Sequence, residues 1–148
     1  MLNKKAFSIL EIVFAVLIIA IISSIAIPKI FQSKLQANIV KAKNDVALIR
    51  KAIKEDYSYQ VMNQLSKEYI ENLDDSTIDE AKKELFTGID DRGLLTYPLI
   101  STDSSENRVG GWIKQSDKEY EIVLDEETRL VFTYDSDSGK FECDRDDK

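Results

Sequence analysis

Phe7-Ser8-Ile9-Leu10-Glu11-Ile12-Val13-Phe14-Ala15-Val16-Leu17-Ile18-Ile19-Ala20-Ile21-Ile22-Ser23-Ser24-Ile25-Ala26-Ile27, preceded by Lys4-Lys5-Ala6 and closed by Pro28, decides how the rest of this 148-residue chain is read. Of its 21 residues 17 are apolar, and only Ser8, Glu11, Ser23 and Ser24 are polar. Wound as an α-helix the stretch rises about 31 Å, matching the roughly 30 Å hydrocarbon core of a bilayer. It reads as a membrane-spanning helix. A cleaved secretory signal would share the basic start and the Ser24-Ile25-Ala26 pattern, but its apolar region is shorter and carries no carboxylate. Glu11 is therefore the informative residue. An acid at the centre of a membrane helix costs on the order of 2.5–3.5 kcal/mol, and less near an end where it reaches the interface. Glu11 either snorkels or meets a positive group. A cut just before Phe7 would set a new α-amino group one helical turn from Glu11, at the positive end of the helix dipole. The carboxylate then has a partner in its own amine or in that of a neighbouring subunit.

Outward from this stretch the chain changes character. Residues 1–28 hold only Lys4, Lys5 and Glu11 as charges, whereas residues 29–54 carry seven basic side chains against Asp45, a net of +6. Residues 55–148 carry 11 basic and 25 acidic side chains, a net of −14, so the formal −7 of the whole chain averages unlike zones. Such a layout suits complementary contacts between stacked subunits, anionic lipid or nucleic acid, or simply a solvated helix face. The acidity of the outer zone argues against its gripping DNA unaided. With no histidine and one cysteine, the composition excludes a His general base, a Cys/His nucleophile pair, an intramolecular disulfide and a standard zinc site. The spacing of the acids favours no hydrolase, and the chain reads as a non-enzyme.

After Pro28, the residues Leu35, Ile39, Ala42, Val46, Ile49, Ile53, Tyr57, Val61 and Leu65 recur at steps of three or four, one face of an amphipathic helix reaching about Met62 or beyond. Asn44, Lys51 and Glu55 fall opposite, and Ala37 and Leu48 lie on the far face. Pro28 deprives the Ser24 carbonyl of its helical donor, which predicts a kink or local melting around residues 23–28, or else a plain end to the span. Farther on, Thr77 and Glu80 have capping-box spacing before residues 81–86, predicting a short helix closed by Gly88. A loop through Gly93 and Pro98 leads to the Gly110-Gly111 turn. Apolar runs at 112–113, 120–124, 130–134 and 140–143 then predict an antiparallel meander of three or four strands, covered on one face by the helix stripe. The fold class is α+β: a long amino-terminal α-helix, half membrane and half amphipathic, packed on a small antiparallel β-meander. In Asp135-Ser136-Asp137-Ser138-Gly139, Asp135 and Asp137 offer hard oxygen ligands to calcium, though the order departs from an EF-hand and equally suits a hairpin turn. Cys143 reads as a buried thiol or as half of an intermolecular disulfide.

The run Lys5-Ala6-Phe7-Ser8-Ile9-Leu10-Glu11, with the unbroken apolar stretch and Ala26-Ile27-Pro28 behind it, resembles the class III signal of type IV prepilins and type II secretion pseudopilins. The resemblance covers about 22 residues and is specific in combining a basic leader, a phenylalanine at the cut and a glutamate at the fifth mature position. It implies a pilin-like fold, cleavage between Ala6 and Phe7 by a prepilin peptidase, methylation of the Phe7 amine, and Glu11 as the assembly residue. The chain departs from the family in carrying Ala6 where glycine usually precedes the cut. The implied segments are a leader at 1–6, a transmembrane and assembly helix at 7–28 that can unwind near Pro28 in the filament, an amphipathic extension at 29–66, and a periplasmic or extracellular αβ domain at 67–148. Also implied is a structural subunit, pseudopilin or pilin, of a type II secretion, type IV pilus or competence-type filament. Its partners would be copies of itself, other pilin-like subunits, the prepilin peptidase/methylase, the inner-membrane assembly platform and the membrane, with nucleic acid met only indirectly. No cofactor is implied, save calcium in the loop some major pseudopilins use. One cysteine instead of the disulfide pair of many pilins, with the short length, leans toward a pseudopilin or minor pilin. Lys29, Lys34, Lys41 and Lys43 outweigh Lys4 and Lys5, so the positive-inside rule alone would leave the carboxyl-terminal domain in the cytoplasm. The resemblance places that domain in the periplasm, because the leader must face the peptidase. The alternative is a single-pass, membrane-anchored module that binds a ligand or partner and needs neither cleavage nor Glu11.

Overall fold

The computed structural model describes residues 8–90 and 92–144. Among the described residues one helix, α1 (Ile9–Met62), is followed by eight strands: β1 (Glu84–Leu85), β2 (Gly88–Ile89), β3 (Arg92–Gly93), β4 (Leu99–Ile100), β5 (Trp112–Lys114), β6 (Glu119–Val123), β7 (Arg129–Asp135) and β8 (Lys140–Cys143). The α+β expectation is met: a long amino-terminal helix packs against antiparallel sheet. The chain divides into two compact units, Met1–Gln36 and Ala37–Lys148.

No glycine precedes Gly88, so nothing in the first 62 residues but Pro28 opposes helix, and α1 stays helical through residues 23–28. In the single chain the helix neither melts nor ends there. A proline removes a single backbone donor and the ladder resumes beyond it, while the Ser24 hydroxyl donates to the Ile21 carbonyl at 2.8 Å. At the other end the Leu65 N–H reaches back to the Gln60 carbonyl at 2.9 Å, and Gln64 adopts a φ of 57°. That is a left-handed helix stop made without the glycine that usually marks one.

Within the second unit, β5 to β8 form a four-stranded antiparallel meander in sequence order. Register pairs Trp112 with Ile122, Tyr120 with Phe132, and Tyr134 with Phe141. Period-2 alternation turns Trp112, Tyr120, Ile122, Phe132, Tyr134 and Phe141 to one face, and all are buried, as are Ala42, Val46, Ile49, Ala52 and Ile53 of α1. Phe86, from the connecting region, wedges among these rings, 4.6 Å from Tyr120 and 5.7 Å from Trp112 between centroids. The helix stripe read from sequence is buried from Ala42 to Ile53, but Val61 and Leu65 are exposed, and near the end of α1 Asp56 and Gln60 face inward instead.

The short helix expected over residues 81–86 is not formed. Asp79, Lys82 and Phe86 have φ of 49°, 63° and 60°, left-handed values that no α-helix tolerates. Tertiary bonds outcompete the local capping signal. The Asp79 N–H donates to the Lys114 carbonyl at 2.9 Å and the Lys82 N–H to the Ser101 carbonyl at 3.0 Å. Residues 84–85 pair instead with β4, and Gly88 begins a hairpin of β2 with β3. Gly88 has φ of 88°, and a Cβ there would lie 1.8 Å from the Arg92 carbonyl oxygen, so the glycine allows the tight hairpin and does not cap a helix.

Candidate functional site

Glu11 lies in the first turn of α1, where the Ser8 carbonyl accepts from the Glu11 and Ile12 N–H groups at 3.0 and 3.2 Å. An acid there complements the helix dipole, worth about 0.3–1 kcal/mol. Around it the apolar residues face outward: Ile9 is 82% exposed, Phe14 65% and Ile25 69%. One helix among the described residues is long and apolar enough to cross a membrane. Ala6 and Phe7 lie outside the described residues, and the backbone of Pro28 is helical.

The basic zone resolves into two kinds of side chain. Lys41 Nζ donates to Asp45 Oδ2 at 2.9 Å and to the Gly110 carbonyl at 2.8 Å, and Arg50 Nε donates to the Phe141 carbonyl at 2.7 Å. These two tie α1 to the sheet region. Lys43, Lys51 and Lys54 are exposed, with Lys51 3.4 Å from Glu55.

The two calcium candidates sit in the β7–β8 turn. Asp135 Oδ1 accepts from the Asp137 N–H at 2.9 Å and Oδ2 from the Ser138 hydroxyl at 2.6 Å. The Ser138 hydroxyl, then the Asp137 N–H, hold the Asp135 carboxyl below its ordinary range. Gly139 has φ of 67°, and a Cβ there would meet the Tyr69 ring at 2.3 Å. The loop has the geometry of a hairpin turn, and among the described residues no three His, Cys, Asp or Glu side chains gather as a metal site. Cys143 is half-buried on β8.

The sequence reading missed a set of buried charges that organises the second unit. Asp74 (1% exposed) and Lys114 (2%) form an ion pair at 3.2 Å. Lys114 Nζ also donates to the Ser76 carbonyl at 2.9 Å. The Asp74 carboxylate accepts further from the Phe86 N–H at 2.9 Å, the Ser76 N–H at 3.0 Å and the Tyr120 hydroxyl at 3.0 Å. Burial, then the Asp74 charge, push the Tyr120 phenol well above its ordinary range. Asp45 accepts from Trp112 Nε1 at 3.0 Å beside Lys41, and Asp56 takes a two-pronged contact from Arg92 beside Gln60. Each buried aspartate thus meets one cation and at least one neutral side-chain donor, Asp74 meeting two, the Tyr120 and Ser76 hydroxyls. Asp45 was findable, standing three residues after Ala42 and four before Ile49 on the buried arc. Asp74 and Lys114 are 40 residues apart, and no local pattern joins them.

No protein-family model, curated protein or solved structure matches this chain.

Proposed function

We propose that this chain is a structural subunit, of pseudopilin or pilin kind, of a type II secretion, type IV pilus or competence-type filament assembled from the bacterial inner membrane. The observation that carries the reading is Glu11, the one charge in the apolar run of residues 7–27, in the first turn of its helix. The prepilin-like residues Lys5, Ala6 and Phe7 just ahead of it supply the means of creating its partner. On this reading, cleavage after Ala6 frees the Phe7 amine. The exposed apolar side chains trade lipid for one another as subunits leave the bilayer, and each Glu11 is neutralised by a mature amino terminus, its own or a neighbour's. The subunit spans the membrane once, with residues 67–148 on the periplasmic side.

The test is Glu11→Val in the full chain, expressed with its assembly machinery. Carbonate-resistant membrane insertion should be unchanged and sedimentable filaments should be lost. Normal filaments from that variant would remove Glu11 from assembly and leave the membrane-anchored binding module as the better account.

A further inference from the structure

Two faces of the second unit carry opposite charge at different heights along α1. On the outward side of the helix an open groove of about 590 Å³ is lined by three cations, Arg50, Lys51 and Lys54, and one acid, Glu55, beside Tyr59 and Met62. Lys51, Lys54 and Tyr59 are exposed there. The β6–β7 turn, Asp125-Glu126-Glu127-Thr128, is the opposite kind of surface. Asp125 Oδ1 accepts from the Glu127 and Thr128 N–H groups at 2.9 and 2.6 Å, and the Leu124 N–H closes on the Thr128 carbonyl at 2.9 Å. These bonds fix the turn and leave Glu126 and Glu127 exposed. The same N–H groups, that of Glu127 foremost, hold the Asp125 carboxyl below its ordinary range.

Their offset matters. Asn38 Nδ2 donates to the Leu124 carbonyl at 2.8 Å, which sets the acidic turn level with Asn38. Lys51 and Lys54 lie about 20–24 Å farther along α1 at 1.5 Å rise per residue, too far for a turn anchored at Asn38 to reach within one molecule. A second copy laid with its sheet side against the outward side of the first copy's helix, and shifted along the helix axis by that distance, brings its turn to the groove.

We propose that the acidic β6–β7 turn of one copy of this chain seats in the basic Arg50–Lys51–Lys54 groove of the next copy. This deepens the filament reading above and rests on it. Because groove and knob are different surfaces, the contact is heterologous and each copy added leaves both a free groove and a free knob, the geometry of an open assembly. A turn already fixed by its own hydrogen bonds loses little conformational freedom on docking. The charged rim makes the contact sensitive to ionic strength.

The test uses the full chain in membranes that contain its assembly system. Sheared filaments are treated with a carbodiimide, which joins carboxylates to amines already in contact, and the linked peptides are mapped. The contact predicts a ladder of dimers and higher species, with Lys51 or Lys54 joined to Glu126 or Glu127. Lys51→Glu with Lys54→Glu should lower filament yield several-fold, as should Glu126→Lys with Glu127→Lys, and combining all four should restore it. Trp112 fluorescence, unchanged in each variant, shows that the fold survives. Filaments that form normally in both charge-reversed variants, with links mapped elsewhere, overturn this contact and leave the filament reading standing. If the unaltered chain forms no filament and keeps its leader, both fall together.

Discussion

Residues 9–27 and 42–60 belong to one helix yet treat their side chains in opposite ways. In the first stretch Ile9, Phe14, Ile19 and Ile25 face outward, and the single charge is Glu11. In the second, Ala42, Val46, Ile49 and Ile53 are buried, and the inward-facing charges Asp45 and Asp56 meet Lys41 and Arg92 of the same chain. The second half of α1 is thus satisfied by its own fold. Its first half is long and apolar enough to cross a membrane, and exposing so much contiguous apolar surface to water is unfavourable at about 25 cal/mol per Å²; on the proposed reading lipid, then other copies, cover it. Glu11 fits that contrast. On the proposed reading its counter-charge is an amine released by processing and delivered at assembly, whereas the counter-charges of Asp45, Asp56 and Asp74 are built in.

The sharpest way to break the comparison is to remove a built-in partner. Lys114→Met leaves Asp74 buried without its cation and should cost about 3–5 kcal/mol, a large share of the roughly 5–15 kcal/mol that holds a domain folded. Thermal unfolding followed by Trp112 fluorescence measures it, and membrane insertion of the first half should be unaffected. A loss below about 1 kcal/mol would mean that the pair does not organise this unit.

Trp112→Phe keeps a ring in the core but takes the indole N–H from Asp45. The expected cost is about 1–3 kcal/mol, read by circular dichroism because the only tryptophan is gone.

The third expectation concerns alkali. Tyr120 is held protonated in the fold, by burial first and then by the Asp74 charge, while an unfolded tyrosine ionises near pH 10. The unfolded state therefore loses its proton first, so this contribution is present below about pH 10 and declines above it, by at most about 1.4 kcal/mol per pH unit. Tyr120→Phe should flatten that decline in urea titrations between about pH 10 and 12. An unchanged slope would place the phenol in contact with solvent.

The smallest effect belongs to the surface. Lys51 and Glu55 are both about two-thirds exposed, so Lys51→Ala should change unfolding free energy by less than about 0.5 kcal/mol. Loss of stability on that scale or less, alongside a loss of assembly in the charge-reversed variants, would separate folding from association.

How far the molecule was legible in its sequence follows the range of the forces involved. The helix and the β5–β8 meander are written in local periodicity, steps of three or four from Ala42 to Ile53 and alternation through 112–143, and both were readable. The region between them was not. Thr77 and Glu80 satisfy a local capping rule, but the Phe86 N–H is claimed by Asp74 and the residues 84–85 by β4, so nonlocal bonds set the backbone there. The turn at Gln64 ends α1 without a glycine to announce it. At Pro28 the single chain stays helical, because losing one donor need not melt a helix whose ladder resumes beyond it. For the candidate site the balance reverses: Glu11 and its spacing from Phe7 were plain in the sequence, while the Asp74–Lys114 pair emerged only once segments 40 residues apart were brought together.

The central claim, that the counter-charge of Glu11 is an amine released by processing before Phe7, is tested most directly by intact-protein mass spectrometry of the chain purified from its native membrane. The account predicts a mass lower by residues 1–6 and higher by one methyl group, with fragmentation locating that methyl on the Phe7 amine. A chain that retains Met1 and an unmodified Phe7 would contradict it.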